Sequence, residues 1–317
     1  GRSAADAQIG RAPYDGRGSP IRDPTATMTD PLLANEPLIR LIAFLGVLAA
    51  MAAWELSAPR RRAEIPRLLR WSNNLLLVAV DTAVLRLAFP VLAVGFAVVA
   101  QERGFGLFNL VEAPYWLAFV VSFLAFDLAI YLQHVMFHAV PALWRLHRMH
   151  HADLEIDVTT GLRFHPLEIL ISMGIKLALV AALGPPAAAV LVFEVVLNAM
   201  SMATHTNVGL PAGLDRAARL LVVTPDMHRV HHSIDPSETH TNFGFNLSWW
   251  DRLLGTYRPQ PKLGHLGMTI GIPEFRTRRD LWLDRMLAQP FRGRAGESMG
   301  KGGRTAPPAS EEERHPQ

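Results

Sequence analysis

The chain has 317 residues, half of them apolar, with 31 Lys and Arg against 28 Asp and Glu and a formal charge of +3. The apolar residues are gathered in long blocks and the arginines stand beside those blocks, so the basic balance points to a membrane and not to nucleic acid. The absence of cysteine excludes thiolate ligands, disulfides, cysteine nucleophiles and iron–sulfur clusters together, leaving nitrogen and oxygen to hold any metal.

Residues 1–27 are rich in Gly, Pro, Asp, Arg and Ala without an apolar period, and residues 1–36 are expected to be a disordered or polar N-terminal extension. Five apolar blocks follow at 37–56, 74–100, 114–133, 167–183 and 187–203, each near or at the roughly 20 residues needed to cross a hydrocarbon core. An all-α integral membrane protein is expected, with a first transmembrane hairpin in 37–113. The last two blocks are short and separated by Gly184, Pro185 and Pro186, which leaves spanning and re-entrant arrangements both open.

Arg60, Arg61, Arg62, Arg67 and Arg70 fill the gap between the first two blocks, whereas the next gap, 101–113, holds Arg103 against Glu102 and Glu112. The positive-inside rule makes the first gap cytoplasmic and the second outward-facing. The third block then returns to the cytoplasmic side, and the polar stretches after it share that side if the last two blocks form a hairpin. The expected location is a bacterial inner membrane with the active site on the cytoplasmic side.

Eight of the thirteen histidines fall in three clusters: His134 and His138; His147, His150 and His151; His228, His231 and His232. Spacings of three and four residues bring side chains to one helical face, so each cluster can aim several imidazoles at a common point. Pro141 and the Pro225-Asp226 pair suit the first turns of the helices carrying the second and third clusters. One zinc ion is satisfied by about four ligands, so eight or nine nitrogens suit two ions with positions left open for dioxygen or water. Arg145, Arg148 and Arg229 stand beside the clusters; they favour neutral, coordinating imidazoles, and they equally suit phospholipid headgroups. There is no His-Glu-x-x-His or His-x-x-Glu-His, and no Glu-x-x-His in the apolar blocks or among the histidine clusters, which excludes the common zinc-peptidase helices and a carboxylate-rich di-iron bundle.

The run Asp127, Tyr131, His134-x-x-x-His138, then His147-x-x-His150-His151, Arg163-Phe-His165-Pro-Leu-Glu168, His205-Thr-Asn207 and His228-x-x-His231-His232 resembles the fatty acid hydroxylase and sterol desaturase superfamily. The closing stretch Asn242-Phe-Gly244 through Trp250-Asp251 to Gly255-Thr-Tyr257 is similar to that family's ending. The resemblance covers about residues 115–258. It implies about four transmembrane helices in two hairpins with a cytoplasmic histidine-rich helical cap, residues 114–258 forming the di-iron hydroxylase domain. It also implies two non-haem Fe ions, with O2 as cosubstrate and a lipid C–H bond as the target. The eight clustered histidines take the ligand role, with His205 as a ninth; Ser201 stands where some members carry a further histidine.

Asp127 and Tyr131 lie seven and three residues before His134 on its face, which makes them candidates to support the metal ligands, Asp127 by holding a bound imidazole. A pair between Asp127 and Arg86 is the other reading. His165 is read as a supporting or packing residue, and His240 is left out because relatives often have aspartate there. His265 and His315 fit no cluster and read as surface residues. Trp249, Trp250 and Tyr257 read as interfacial anchors.

The expected activity is O2-dependent hydroxylation or desaturation of a membrane lipid such as a sterol or fatty acyl chain. No dinucleotide fingerprint or haem motif is present, so electrons must come from an external ferredoxin- or cytochrome-type donor. A zinc-dependent membrane hydrolase and a non-enzymatic metal-handling protein are the competing readings. Residues 259–317 read as a C-terminal segment, disordered from about 293.

Overall fold

The computed structural model describes residues 31–293. The extensions expected over 1–27 and beyond 293 lie outside the described residues, as does His315. Pro31–Ala34 form one helical turn and Glu36 already opens the first long helix, so helix begins inside the region expected to be a polar extension. Secondary structure among the described residues is helical, apart from isolated bridges pairing Val222 with Leu247 and Ser233 with Ile270.

Five segments are long and apolar enough to cross a membrane, giving four to five spans. They are α1 (Glu36–Ser57), α2 (Arg67–Ala88) continued by α3 (Ala93–Arg103), α4 (Tyr115–Ala139), α6 (Pro166–Leu183) and α7 (Ala187–His205). The α2–α3 break falls at Pro90: proline has no N–H and pushes the preceding residue out of helix, and Phe89 is extended at φ −124°. Lys176 and Arg40, both within spans, pair with the buried Glu194.

Gly184 ends α6 at φ 55°, a conformation that favours glycine, and the two prolines after it start the return. This turn packs on Gly106 so closely that a Cβ on Gly106 would overlap the Gly184 backbone. Asn109 Nδ2 donates to the carbonyls of Phe105 (2.8 Å) and Gly184 (3.3 Å). The α6–α7 turn therefore shares one end of the bundle with the 101–113 gap. Helices of 18 and 19 residues reach about 27–28 Å, so α6 and α7 form a full hairpin whose open ends meet the histidine clusters.

A cap covers that open end. Its helices α5 (Pro141–His151) and α8 (Pro225–His231) begin at the expected prolines, with Thr224 capping α8 through Met227 N. Buried Arg70 at the head of α2 binds Asp153, Asp157 and Thr160 in the loop after α5. Glu55 near the end of α1 accepts from Val158 N and Asn207 N, so charged groups on two spans fix the loops carrying the site.

Candidate metal centre

All nine sequence-identified imidazoles are brought together and buried, none more than 2% exposed. They form two groups: His134, His138, His147, His151 and His231; and His150, His205, His228 and His232. Within each group, one nitrogen from every ring lies within 4.8 Å of the others. Residues four apart stay together, as in 134/138, 147/151 and 228/232, whereas consecutive residues on a helix diverge by about 100°. His150 and His151 thus serve different groups, and so do His231 and His232. The groups share a wall, where the His147 and His150 rings lie 5.2 Å apart.

Five of the nine rings are held from behind through Nδ1. His134 Nδ1 donates to Phe243 O (2.7 Å), His231 Nδ1 to Thr241 O (2.7 Å), His205 Nδ1 to Ser201 O (2.6 Å) and His150 Nδ1 to Arg163 O (3.2 Å). His147 Nδ1 meets Glu168 Oε1 at 2.7 Å. A proton on each Nδ1 leaves a lone pair on each Nε2. Those lone pairs face one another: His134 and His147 Nε2 are 3.0 Å apart and His150 and His205 Nε2 3.1 Å, and the Nε2 atoms of His228 and His232 also lie 3.0 to 3.1 Å from His205 Nε2. His138 Nε2 and His231 Nε2 have no hydrogen-bond partner among the described residues. Facing lone pairs repel unless a cation lies between them, so this donor set fits metal ions and fits protons poorly.

Titration behaviour agrees. Burial holds His147 down to about pKa 3, and burial together with neighbouring imidazoles holds His150, His151, His228, His231 and His232 well below the ordinary histidine value. Neutral rings are the form that coordinates a metal. Aromatic side chains wall off the centre: Phe164 stacks on His150 at 4.7 Å, Trp144 lies 4.8 Å from His138 and Phe245 5.0 Å from His134.

The supporting residues differ from expectation. Asp127 hydrogen-bonds no imidazole among the described residues; its Oδ2 accepts from Trp250 Nε1 (2.8 Å) and Leu247 N (3.3 Å). Seven residues are nearly two turns, so Asp127 lies about 10 Å along α4 from His134 although it shares its face. Tyr131 likewise reaches the closing segment, its hydroxyl 2.8 Å from Thr256 Oγ1. His165 is in neither group: Nδ1 accepts from Leu167 N at the head of α6 and Nε2 meets Leu287 O, a packing role. Trp250 anchors to Asp127 inside the protein and is not a free interfacial ring.

Three residues were missed or misjudged. Glu168 was legible only as the end of the Arg-x-His-Pro-x-Glu stretch, yet it is the carboxylate that meets a clustered imidazole. His240, left out of the sequence-based set, places Nδ1 3.2 Å from His138 Nδ1. His265, expected at the surface, is 6% exposed and lies 3.7 Å from Asp226.

Residues 119–256 match the fatty acid hydroxylase family. Curated relatives include an ornithine lipid hydroxylase from Rhizobium tropici, 33% identical over 153 residues, covering 47% of this chain and 45% of the relative. A human alkylglycerol monooxygenase is 30% identical over 174 residues, 55% of this chain and 38% of its own length. A human cholesterol 25-hydroxylase is 28% identical over 137 residues, 43% and 49% respectively. The chain spans less than half the length of the curated relatives it matches. No solved structure matches it. The family match starts inside α4 and ends three residues past the short helix Trp249–Leu253, so it takes in every clustered histidine.

Proposed function

We propose that this chain is a membrane-bound, O2-dependent di-iron enzyme that hydroxylates a lipid. The observation that carries the reading is the division of nine buried imidazoles into two adjoining groups whose nitrogen lone pairs converge. An all-nitrogen set suits iron, and five- and four-ligand groups suit two ions with positions left open. His134, His138, His147, His151 and His231 hold one ion, and His150, His205, His228 and His232 the other. When bound, the irons supply reduction of O2 and removal of hydrogen from an unactivated carbon, so that a C–H bond, O2, two electrons and two protons yield an alcohol and water.

The chain's own residues prepare that reaction. Carbonyls of Phe243, Thr241, Arg163 and Ser201 keep the proton on Nδ1 and the coordinating lone pair on Nε2. Glu168 does the same for His147 with a side-chain carboxyl oxygen as the acceptor. Phe164, Phe245 and Trp144 exclude water from the centre, limiting loss of the oxidant to solvent.

The relatives are named for an ornithine lipid, alkylglycerol and cholesterol, different headgroups on apolar bodies, and each is named a hydroxylase or monooxygenase. Hydroxylation of a bilayer lipid is therefore favoured over desaturation. Electrons come from a separate ferredoxin- or cytochrome-type donor, and the arginines of the 58–66 loop favour the cytoplasmic face of a bacterial inner membrane for the cap. Mass spectrometry of host lipids with and without the chain, under 18O2, tests the reading. It predicts a lipid carrying one added labelled oxygen; a loss of two hydrogens, or an unlabelled hydrolysis product, contradicts it.

A further inference from the structure

Large apolar side chains are exposed on the cap as well as on the spans. Leu214, Leu220, Leu221, Trp249, Leu253 and Leu254 are 38% to 73% exposed, a grouping that a water-facing surface rarely carries. They come from two segments, 212–222 and 247–254, joined by the Val222–Leu247 bridge.

The backbone between these segments is sealed. Arg219 O accepts from Ser248 Oγ (2.7 Å) and Arg252 Nη2 (2.9 Å), Leu220 O from Trp249 Nε1 (3.0 Å) and Leu221 O from Ser248 N (3.3 Å). Three consecutive carbonyls that water could have satisfied are thus bonded within the protein, while the leucines beside them point outward. Hydrocarbon demands that combination, because it offers a carbonyl no donor.

Asp127 fixes the depth. It is the central residue of α4, twelve residues from Tyr115 and twelve from Ala139, or about 18 Å from either end. A hydrocarbon core of roughly 30 Å beginning near the exposed aromatic pair Tyr115 and Trp116 extends about 12 Å past it. The Trp250 and Leu247 bonds to Asp127 therefore hold the second segment at the level of acyl chains.

We infer that residues 212–222 and 247–254 form a lipid-binding surface that inserts into the leaflet on the histidine side, with the exposed Arg216 reaching to headgroups. The occupant is the bilayer leaflet, continuous with the lipid already around α4. Phe245, two residues before the second segment, lies 5.0 Å from His134 and 6.2 Å from His228, so the surface leads from acyl chains to the histidine centre. That route rests on the lipid hydroxylase reading; the insertion does not.

The chain has no cysteine, so a single introduced one can carry an environment-sensitive fluorophore without background. Leu221→Cys, Leu253→Cys and, as a water-facing reference, Ser237→Cys are labelled in the full chain and reconstituted in phosphatidylcholine–phosphatidylglycerol vesicles. Insertion predicts blue-shifted emission at 221 and 253, quenching by nitroxide on the acyl chain, and loss of the iodide quenching seen at 237. Iodide quenching at 221 and 253 equal to that at 237 overturns the inference. Protection from both quenchers, the mark of a second copy seated on the patch, overturns it as well. Neither readout needs metal or turnover, so failure here leaves the hydroxylase reading standing, and the converse holds.

Discussion

His147 Nδ1 and Glu168 Oε1 lie 2.7 Å apart, both buried, one on a cap helix and the other in the first turn of a membrane span. The contact ties a clustered imidazole to the hydrophobic bundle, so the orientation of the ring is set by the membrane part of the fold. Removing the acceptor with Glu168→Ala frees the ring to rotate and to change tautomer. Metal affinity is expected to fall roughly 10–100-fold, with Glu168→Gln, which keeps an acceptor oxygen, losing less. Metal titration of the apoprotein checks this; equal affinity in Glu168→Ala and the parent rules it out.

The two imidazole groups predict separable sites. His138→Ala removes a member of the five-histidine group and His228→Ala a member of the four-histidine group. Each variant is expected to lose about one of two metal equivalents and essentially all turnover, because the chemistry needs both ions. Elemental analysis of the purified variants decides; unchanged metal content in either variant is the opposing result.

Asp127→Ala should leave metal content intact and lower stability. The substitution strands the Trp250 indole N–H and the Leu247 amide at membrane depth, a cost of about 1–3 kcal/mol for a buried unsatisfied donor. Thermal unfolding in detergent beside metal analysis separates the two effects. Loss of metal with unchanged stability would place Asp127 back among the groups supporting the ligands.

The depressed histidine pKa values set a pH dependence for the apoprotein. In the unfolded chain these rings take up protons near pH 6.5, whereas folded His147 resists protonation down to about pKa 3. The unfolded state therefore binds more protons as pH falls through 6.5, so stability is full above that value and is lost below it. The slope is on the order of 1.4 kcal/mol per pH unit for each such ring. Thermal midpoints of apoprotein at pH 5 and pH 8 test the sign, and a midpoint no lower at pH 5 refutes it.

The histidine groups were legible because i, i+4 spacing on a helix is a geometric statement about a face. What holds the rings was not. Phe243, Thr241, Arg163 and Ser201 act through backbone carbonyls, which any residue supplies, and Glu168 meets a partner 21 positions away. The face argument misled at Asp127, because a shared face does not mean a shared level: two turns of α4 separate it from His134. The hairpin of α6 and α7 was left open by the short apolar blocks 167–183 and 187–203, and what favours it is Gly184 meeting Gly106, a contact between segments that no local pattern encodes. His265 is buried beside Asp226, which is distant in sequence, so a lone histidine gave no sign of it.

The central claim is that the two imidazole groups hold a pair of irons. Its most direct test is iron Mössbauer spectroscopy with elemental analysis on the full chain, purified without oxygen from cells grown on 57Fe. The account predicts about two irons per chain in nitrogen-rich, non-haem sites that couple magnetically after exposure to O2. Zinc in their place, or a single uncoupled iron, would contradict it.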